Sequence, residues 1–131
     1  MGLPNISAVV LFVDDLEKCR AFYQDVLTLD FTFNDDASYG FKLGSTDFVV
    51  LKTSAAAAMV TEEAMALTGL GNHRALLCVG VPSVDEEYKK LTGKGVKFIN
   101  PPKDQAWGRR TAYFADPEGN LWELWHELPS K

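Results

Sequence analysis

The chain has 131 residues and a net charge of −5, with 47% hydrophobic and 24% charged residues. This composition is that of one globular domain. Phosphate neutralisation needs clustered cations, so the absence of a Lys/Arg stripe argues against nucleic acid as a partner. No apolar run reaches the ~18 residues of a membrane span. The N-terminus lacks the basic flank and apolar core of a secretory signal, so we expect a cytoplasmic protein.

The first half of the chain predicts a strand, a helix and three further strands. Residues 6–13 form a mostly apolar run, and Asp14-Asp15 begins a helix that extends to about Leu27. Turn signals then separate three predicted strands, at about 30–34, 39–43 and 47–53. The Ala-rich segment that follows, 54–72, is predicted to be a linker with a helical turn or two.

The second half predicts the same order of elements. A strand at about 75–81 precedes a helix from 83 to about 92, and three strands follow at 96–99, 110–115 and 121–127, with a loop through Pro101 and Pro102. Val13 matches Val81 at an offset of 68, and Leu51 matches Leu124 at an offset of 73. The repeat predicts an α+β fold of one domain, 1–131, with βαβββ modules at 5–53 and 73–128.

Each module has a sheet face that it cannot bury alone. We therefore expect the two modules to pair into a curved, partly closed mixed sheet around a cavity, with the helices outside. Strand alternation sorts the side chains between the two faces. Those predicted to face the cavity are Ala8, Val10, Phe12, Phe48, Val50, Leu76, Cys78, Glu123 and Trp125. Those predicted to pack under the helices are Val9, Leu11, Val13, Val49, Leu51, Trp122 and Leu124.

The two cysteines, Cys19 and Cys78, share no metal-binding spacing. Cys19 falls in a helix pattern and Cys78 in a strand pattern. Both are predicted to be reduced, buried thiols.

Three short motifs resemble those of the vicinal oxygen chelate superfamily. They are Asp15-Leu16-Glu17, Ala21-Phe22-Tyr23 and the closing Asp116-Pro117-Glu118-Gly119-Asn120-Leu121-Trp122-Glu123-Leu124. That superfamily includes glyoxalase I, extradiol dioxygenases, fosfomycin-resistance enzymes and bleomycin-resistance proteins. The resemblance covers nearly the whole chain and implies the duplicated fold.

Enzymes of this superfamily hold a divalent metal at four positions, one in the first and one in the last strand of each copy. The resemblance places these positions at Ala8, Val50, Leu76 and Glu123, and only Glu123 has a metal-binding side chain. A catalytic ion needs about three N, O or S ligands. His126 is expected on the opposite face from Glu123. We therefore predict a protein without metal or other cofactor.

Superfamily members that lack metal ligands resemble bleomycin-resistance proteins, which are small acidic homodimers that bind drugs in grooves of aromatic and carboxylate side chains. The segment Trp107-Gly108-Arg109-Arg110 is similar to a Trp-Gly-Arg segment of that group, in which the Trp stacks on the ligand. Planar heterocycles stack on such rings, and cationic ones gain further attraction. Arg109 and Arg110 could instead favour an anionic ligand.

We therefore predict a homodimer that sequesters an antibiotic or a toxic aromatic compound without catalysing a reaction. The predicted ligand-binding residues are Phe12, Phe48, Val50, Trp107, Arg110, Glu123 and Trp125. The main alternative is a glyoxalase-like, metal-dependent lyase or isomerase, or a dioxygenase, that uses Glu123 and has metal ligands at other positions. A third possibility is a scaffold or regulatory partner protein whose cavity is vestigial and filled by large side chains such as Phe12, Phe48 and Trp125.

Overall fold

A computed structural model describes residues 6–59, 61 and 75–129. The chain divides into two compact units, Met1–Leu70 and Gly71–Lys131. The division falls inside the predicted linker, of which residues 60 and 62–72 lie outside the described residues. Within the described residues, no helix is long and apolar enough to cross a membrane.

The first unit contains the predicted strand, helix and three strands. Its elements are β1 (Ala8–Val13), α1 (Leu16–Ala21) continuing into a π-helical turn (Phe22–Val26), β2 (Asp30–Asn34), β3 (Ser38–Leu43), β4 (Thr46–Lys52) and α2 (Thr53–Met59). Helix α1 begins after Asp15, whose carboxyl group accepts a 3.0 Å hydrogen bond from the Lys18 backbone N–H. The sheet order is β1-β4-β3-β2, with β1 parallel to β4 and the other pairs antiparallel.

The second unit repeats this arrangement, which confirms the predicted α+β fold of two βαβββ modules. Its elements are β5 (Leu76–Gly80), α3 (Val84–Gly93), β6 (Phe98–Asp104), β7 (Arg109–Ala115) and β8 (Leu121–Glu127), in the sheet order β5-β8-β7-β6. The loop predicted at Pro101 and Pro102 is wrong, because both residues lie in β6. Strand β6 is at the sheet edge and its pairing with β7 is irregular there, so the missing proline N–H groups are tolerated.

Each module has an aromatic core between its helix and its sheet. In the first, the Tyr23 ring lies 5.0 Å from that of Phe48, and the Phe48 ring lies 6.2 Å from that of Phe41. In the second, Phe114 and Trp122 stack with centroids 6.1 Å apart, and Phe114 also packs against Phe98. We call the opposite side of each sheet, away from α1 or α3, its open face.

The predicted register of the last strand of the first module is wrong by one residue. Val10 pairs with Val49 in the first sheet, whereas its counterpart Cys78 pairs with Glu123 in the second. The counterpart of Glu123 is therefore Val49, 74 residues earlier, and not Val50. A slip of one residue moves every side chain of a strand to the other face.

The corrected register changes the face of four predicted residues. Phe48 and Val50 are 1% and 0% exposed and lie on the helix side of the first sheet, not on its open face. Val49 and Leu51, predicted under the helix, lie on the open face instead. The face predicted for β1 is consistent with the structure, because Val13 is buried whereas Phe12 is 41% exposed.

Candidate functional site

The open face of the second sheet carries most of the polar side chains that could bind a ligand. Across the ladder, Cys78 of β5 pairs with Glu123 of β8, and Glu123 pairs with Tyr113 of β7. The next row contains Gly80, Trp125 and Thr111, and beyond it Glu127 pairs with Arg109. Paired residues project their side chains from the same face, so these groups are neighbours.

Glu123 lies at the centre of this face and is only 8% exposed. The Tyr113 hydroxyl donates a 2.6 Å hydrogen bond to its Oε1 atom. A buried carboxyl group without a partner would be costly, so the sequence required a donor for Glu123. Tyr113 was not among the residues predicted from the sequence, although its place in the hairpin opposite Glu123 was a usable signal.

The Cys78 thiol is the second neighbour of Glu123. Desolvation, followed by hydrogen bonding to the Glu123 carboxyl group, raises the pKa of Cys78 to about 11. The pKa of Tyr113 is also raised, by desolvation first and by Glu123 second. Both groups therefore keep their protons near neutral pH and act as donors to Glu123. Cys78 is exposed, so the prediction that it is buried is wrong, whereas Cys19 is buried as predicted.

The Trp125 indole forms a flat surface in the row next to Glu123. Its ring lies against Gly80, where an added Cβ atom would come within 2.9 Å of the ring atom Cζ2. The guanidinium carbon of Arg109 lies 3.8 Å from the ring centroid. Arg109 also pairs with Glu127, with 3.2 Å between Nε and Oε1. Arg109 was not among the predicted ligand-binding residues, although it belongs to the Trp-Gly-Arg segment.

Trp107 occupies the turn between β6 and β7 and is 65% exposed. Gly108 follows with φ of 88°, a left-handed conformation that favours glycine. The Gly108 carbonyl accepts a 3.0 Å hydrogen bond from the backbone N–H of Leu128, just beyond β8. The turn is therefore held at the end of the sheet where Arg109 and Glu127 pair.

The other predicted ligand-binding residues lie elsewhere. Arg110 projects to the helix side, where its guanidinium nitrogens lie 3.0 Å from Asp85 and 2.8 Å from Asp104. Phe12 is on the open face of the first sheet, and Phe48 and Val50 are in the core beneath α1. The structure thus places Glu123 and Trp125 in adjacent rows. Ligand contact by any of the predicted residues stays a prediction.

His126 projects from β8 to the helix side, as expected from its position next to Trp125. Its Nδ1 atom accepts a 2.9 Å hydrogen bond from the backbone N–H of Val84. This bond satisfies a donor at the first turn of α3. The contact gives His126 a structural role at the start of the helix.

The residues at the superfamily's metal positions do not fit a divalent ion. In the first module these positions are Ala8 and, with the corrected register, Val49, both aliphatic. In the second module Leu76 is aliphatic, so of these two residues only Glu123 has a side chain that could bind a metal ion. Among the described residues, no group of three or more His, Cys, Asp or Glu side chains is arranged to hold a metal ion.

A cleft of about 720 Å³ lies in the first module beside the start of α1. Its lining includes several carboxyl groups that stabilise local structure. Asp15 caps α1, and Asp35 accepts hydrogen bonds from the backbone of Ala37 and the hydroxyl of Ser38. Glu17 binds Arg20 and the Tyr39 hydroxyl. We therefore assign these three carboxyl groups to the fold of the module.

Comparisons with known proteins agree with this architecture. The profile of the Glyoxalase/Bleomycin resistance protein/Dioxygenase superfamily matches residues 5–124. The uncharacterized protein YraH of Bacillus subtilis (strain 168) is 36% identical over 127 residues, which are 95% of this chain and 99% of YraH.

Two solved structures show the same fold. A glyoxalase/bleomycin resistance protein/dioxygenase from Nocardioides has a TM-score of 0.84 and 24% identity, covering 100% of this chain and 88% of that one. A lactoylglutathione lyase from Agrobacterium tumefaciens has a TM-score of 0.75 and 20% identity, covering 95% and 94%. The duplicated modules and the match over residues 5–124 together show that this chain belongs to the Glyoxalase/Bleomycin resistance protein/Dioxygenase superfamily, the vicinal oxygen chelate superfamily that its motifs resemble.

Proposed function

We propose that this protein binds a planar aromatic small molecule, such as an antibiotic or a toxic compound, on the open face of its second sheet and without a metal. The observation that carries the proposal is the position of the Trp125 indole and the Glu123 carboxyl group in adjacent rows of one sheet face. Leu76 on the same face is 42% exposed and Cys78 is also exposed, so solvent reaches this surface.

The two side chains supply complementary interactions for such a ligand. An indole ring offers a large π surface on which planar heterocycles stack, and a carboxyl group orients a donor or a positive charge. Tyr113 and Cys78 hold the Glu123 carboxyl group in place, so little order has to be imposed on it when a ligand binds. The resemblance to bleomycin-resistance proteins supports this proposal and extends it to a homodimer.

Binding of an anionic ligand by the two consecutive arginines is less favoured. Arg110 already contacts Asp85 and Asp104, and Arg109 already contacts Glu127. An anion would have to compete with these carboxylates and would also meet Glu123. We therefore leave Arg110 out of the proposed site, together with Phe48 and Val50, which have almost no exposed surface.

The proposal is tested by titrating the protein with a panel of planar aromatic compounds in a calorimeter. We expect Trp125→Ala to weaken the binding of any positive compound by about tenfold, because stacking on an aromatic ring contributes roughly 1–3 kcal/mol. The matched control is Leu51→Ala, the corresponding position on the first open face, which should leave the dissociation constant within about twofold. Circular dichroism checks that each variant is folded.

A second experiment addresses Trp107. We expect the double change Trp107→Ala, Trp125→Ala to weaken binding further than Trp125→Ala alone, because Trp107 is exposed at the same end of the sheet as Arg109. If the double variant bound every compound as tightly as the unaltered protein does, the proposed site would be rejected.

An enzymatic function is the second candidate, because the 2.6 Å contact between Tyr113 and Glu123 is an arrangement that can hold and move a proton. Glu123→Gln separates the two functions. A general base would lose most of its rate on this change, whereas a binding surface would lose a modest amount of affinity. Near-stoichiometric metal in protein incubated with Zn²⁺, Ni²⁺, Mn²⁺ or Fe²⁺ and then desalted would favour the enzyme.

A further inference from the structure

Arg109 covers the ring that the proposed ligand would use. Its guanidinium carbon lies 3.8 Å from the Trp125 ring centroid, a separation at which a cation is attracted by the ring's π electrons. The backbone of Gly80 also lies against this ring, because a Cβ atom added there would come within 2.9 Å of Cζ2. A ligand that stacks on the covered face of Trp125 must therefore displace Arg109.

The charges around Trp125 favour a cation over its ring. Glu123 and Glu127 lie two residues before and after Trp125 on β8, so all three side chains project from the same face. Glu127 accepts a 3.2 Å hydrogen bond from Arg109 Nε. The ring and the two carboxyl groups thus form a place for one positive charge, which Arg109 provides in the free protein.

We infer that the Arg109 guanidinium acts as an internal competitor for Trp125, and that the ligand of this face is a planar cation that takes its place over the ring. This inference rests on the proposed function. The ligand's charge replaces that of Arg109 between Glu123 and Glu127, so the electrostatic balance of the face is kept. A neutral ring would stack on Trp125 without attraction to the two carboxyl groups, and an anion would be repelled by both of them.

Displacing Arg109 requires little reorganisation. Its side chain is 39% exposed and that of Glu127 is 68% exposed, so their ion pair is screened by water. Exposed ion pairs of long side chains contribute little to stability and can rearrange at low cost. Arg109 is therefore a specificity-determining residue, since it sets how strongly a ligand must interact with Trp125 to bind.

The test uses three acridine probes of nearly the same shape and different charge: N-methylacridinium, neutral acridine and acridine carboxylate. Each is titrated calorimetrically into the unaltered protein and into Arg109→Gln. We expect the unaltered protein to bind the cation most tightly. Arg109→Gln should tighten binding of the cation by about three- to fivefold, because the ligand no longer has to displace a guanidinium from the ring. The attraction between a cation and an exposed ring corresponds to about that ratio of dissociation constants. Neutral acridine should gain less.

The control variant is Arg20→Gln in the first module. Arg20 also lies over an aromatic ring, that of Tyr39, with 5.5 Å between guanidinium carbon and centroid, and it also pairs with a glutamate, Glu17. Removing it changes the net charge by the same amount as removing Arg109. Arg20→Gln should leave the affinity for all three probes unchanged, which separates a local effect from one of overall charge.

The outcomes distinguish the inference from the proposed function. If Arg109→Gln weakened binding of N-methylacridinium, or if the carboxylate probe bound best and lost affinity in that variant, Arg109 would be a ligand-binding group and the inference would be overturned while the proposed function stood. If none of the three probes bound to either protein, the proposed function would be overturned and this inference with it.

Discussion

The central row of paired residues on each open face is apolar in the first module and polar in the second. The row contains Val10, Val49 and Gly40 in the first sheet and Cys78, Glu123 and Tyr113 in the second. Under the helices the two sheets are alike instead. Phe41 pairs with Phe48, and Phe114 with Trp122.

The comparison shows where the two copies can differ at low cost. A buried aromatic core tolerates few substitutions, because a change in volume leaves a cavity or causes overlap. On the open faces, positions such as Val10 and Leu76 are 39% and 42% exposed, so side-chain volume is less tightly limited there, and a polar group needs only local partners. Glu123 has these partners in Tyr113 and Cys78, whereas the corresponding positions in the first module are Gly40 and Val10. The polar side chains of the two open faces that could bind a ligand are therefore concentrated, among the described residues, in the second module.

The largest expected effect distinguishes the two faces of β4. Val50→Glu would place a charge in the core beneath α1, where Val50 is 0% exposed, and should lower the free energy of unfolding by roughly 3–5 kcal/mol. Val49→Glu, on the open face, should cost about 1 kcal/mol or less. Urea denaturation measures both. Equal losses, or a larger loss for Val49→Glu, would show that the ladder register of β1 and β4 is not the one described.

A smaller effect is expected at two glycines on which aromatic rings pack. A Cβ atom at Gly40 would overlap the Phe33 ring at Cε1, whereas at Gly80 it would lie 2.9 Å from Trp125 Cζ2. Gly40→Ala should therefore lower the free energy of unfolding by about 1–3 kcal/mol, and Gly80→Ala by less. Gly80→Ala should also weaken ligand binding, because it moves the Trp125 ring.

The control for these two changes is Gly93→Ala at the end of α3, where an added Cβ atom meets nothing within 4 Å. Alanine favours helix over glycine by about 0.8–1 kcal/mol in a helix interior, so this variant should be no less stable than the unaltered protein. The same urea titrations provide the comparison. A Gly40→Ala protein as stable as Gly93→Ala would contradict the close packing of Phe33.

The smallest expected effect is a change in the pH dependence of Cys78 reactivity. The thiolate is the reactive form, and the pKa of Cys78 is raised to about 11, so alkylation by iodoacetamide should be slow at pH 8 and should accelerate up to about pH 11. Glu123→Gln removes the second-largest cause of the raised pKa but not the desolvation. Its profile should therefore shift part of the way towards the ordinary value of 9.0.

Mass spectrometry of the alkylated peptides separates Cys78 from Cys19, which is 0% exposed and should not react while the protein is folded. The raised pKa also has a consequence for stability. The folded protein favours the protonated thiol of Cys78 more than the unfolded chain does. This contribution to the free energy of unfolding is fully present below the unfolded thiol's pKa, near 9.0, and is lost as the pH rises through the folded pKa of about 11. An identical alkylation profile in Glu123→Gln would mean that Glu123 does not contact the thiol.

Several parts of the fold could be read from local patterns. The boundaries of β2 and β8 agree with the predicted strands, and the α3 prediction differs by one residue at each end. The loop predicted at Pro101 and Pro102 was wrong because an edge strand tolerates prolines, and edge position is a property of the sheet rather than of the segment. The residues of the proposed site were predicted from the sequence only in part, and their contact with a ligand stays a prediction. Glu123 and Trp125 were among the predicted residues and lie in adjacent rows of one face, whereas Tyr113 was not predicted and Arg109 was named only as a group that could favour an anion.

The amino-acid sequence by itself determined the order of the elements, their duplication and the superfamily, because apolar periodicity, turn residues and short motifs are local properties of the chain. Only the tertiary structure decided that Val49 and not Val50 corresponds to Glu123, and that Tyr113, Cys78 and Arg109 surround Glu123 and Trp125. Strand register depends on hydrogen bonds between distant segments, and a shift of one residue reverses the faces of a strand.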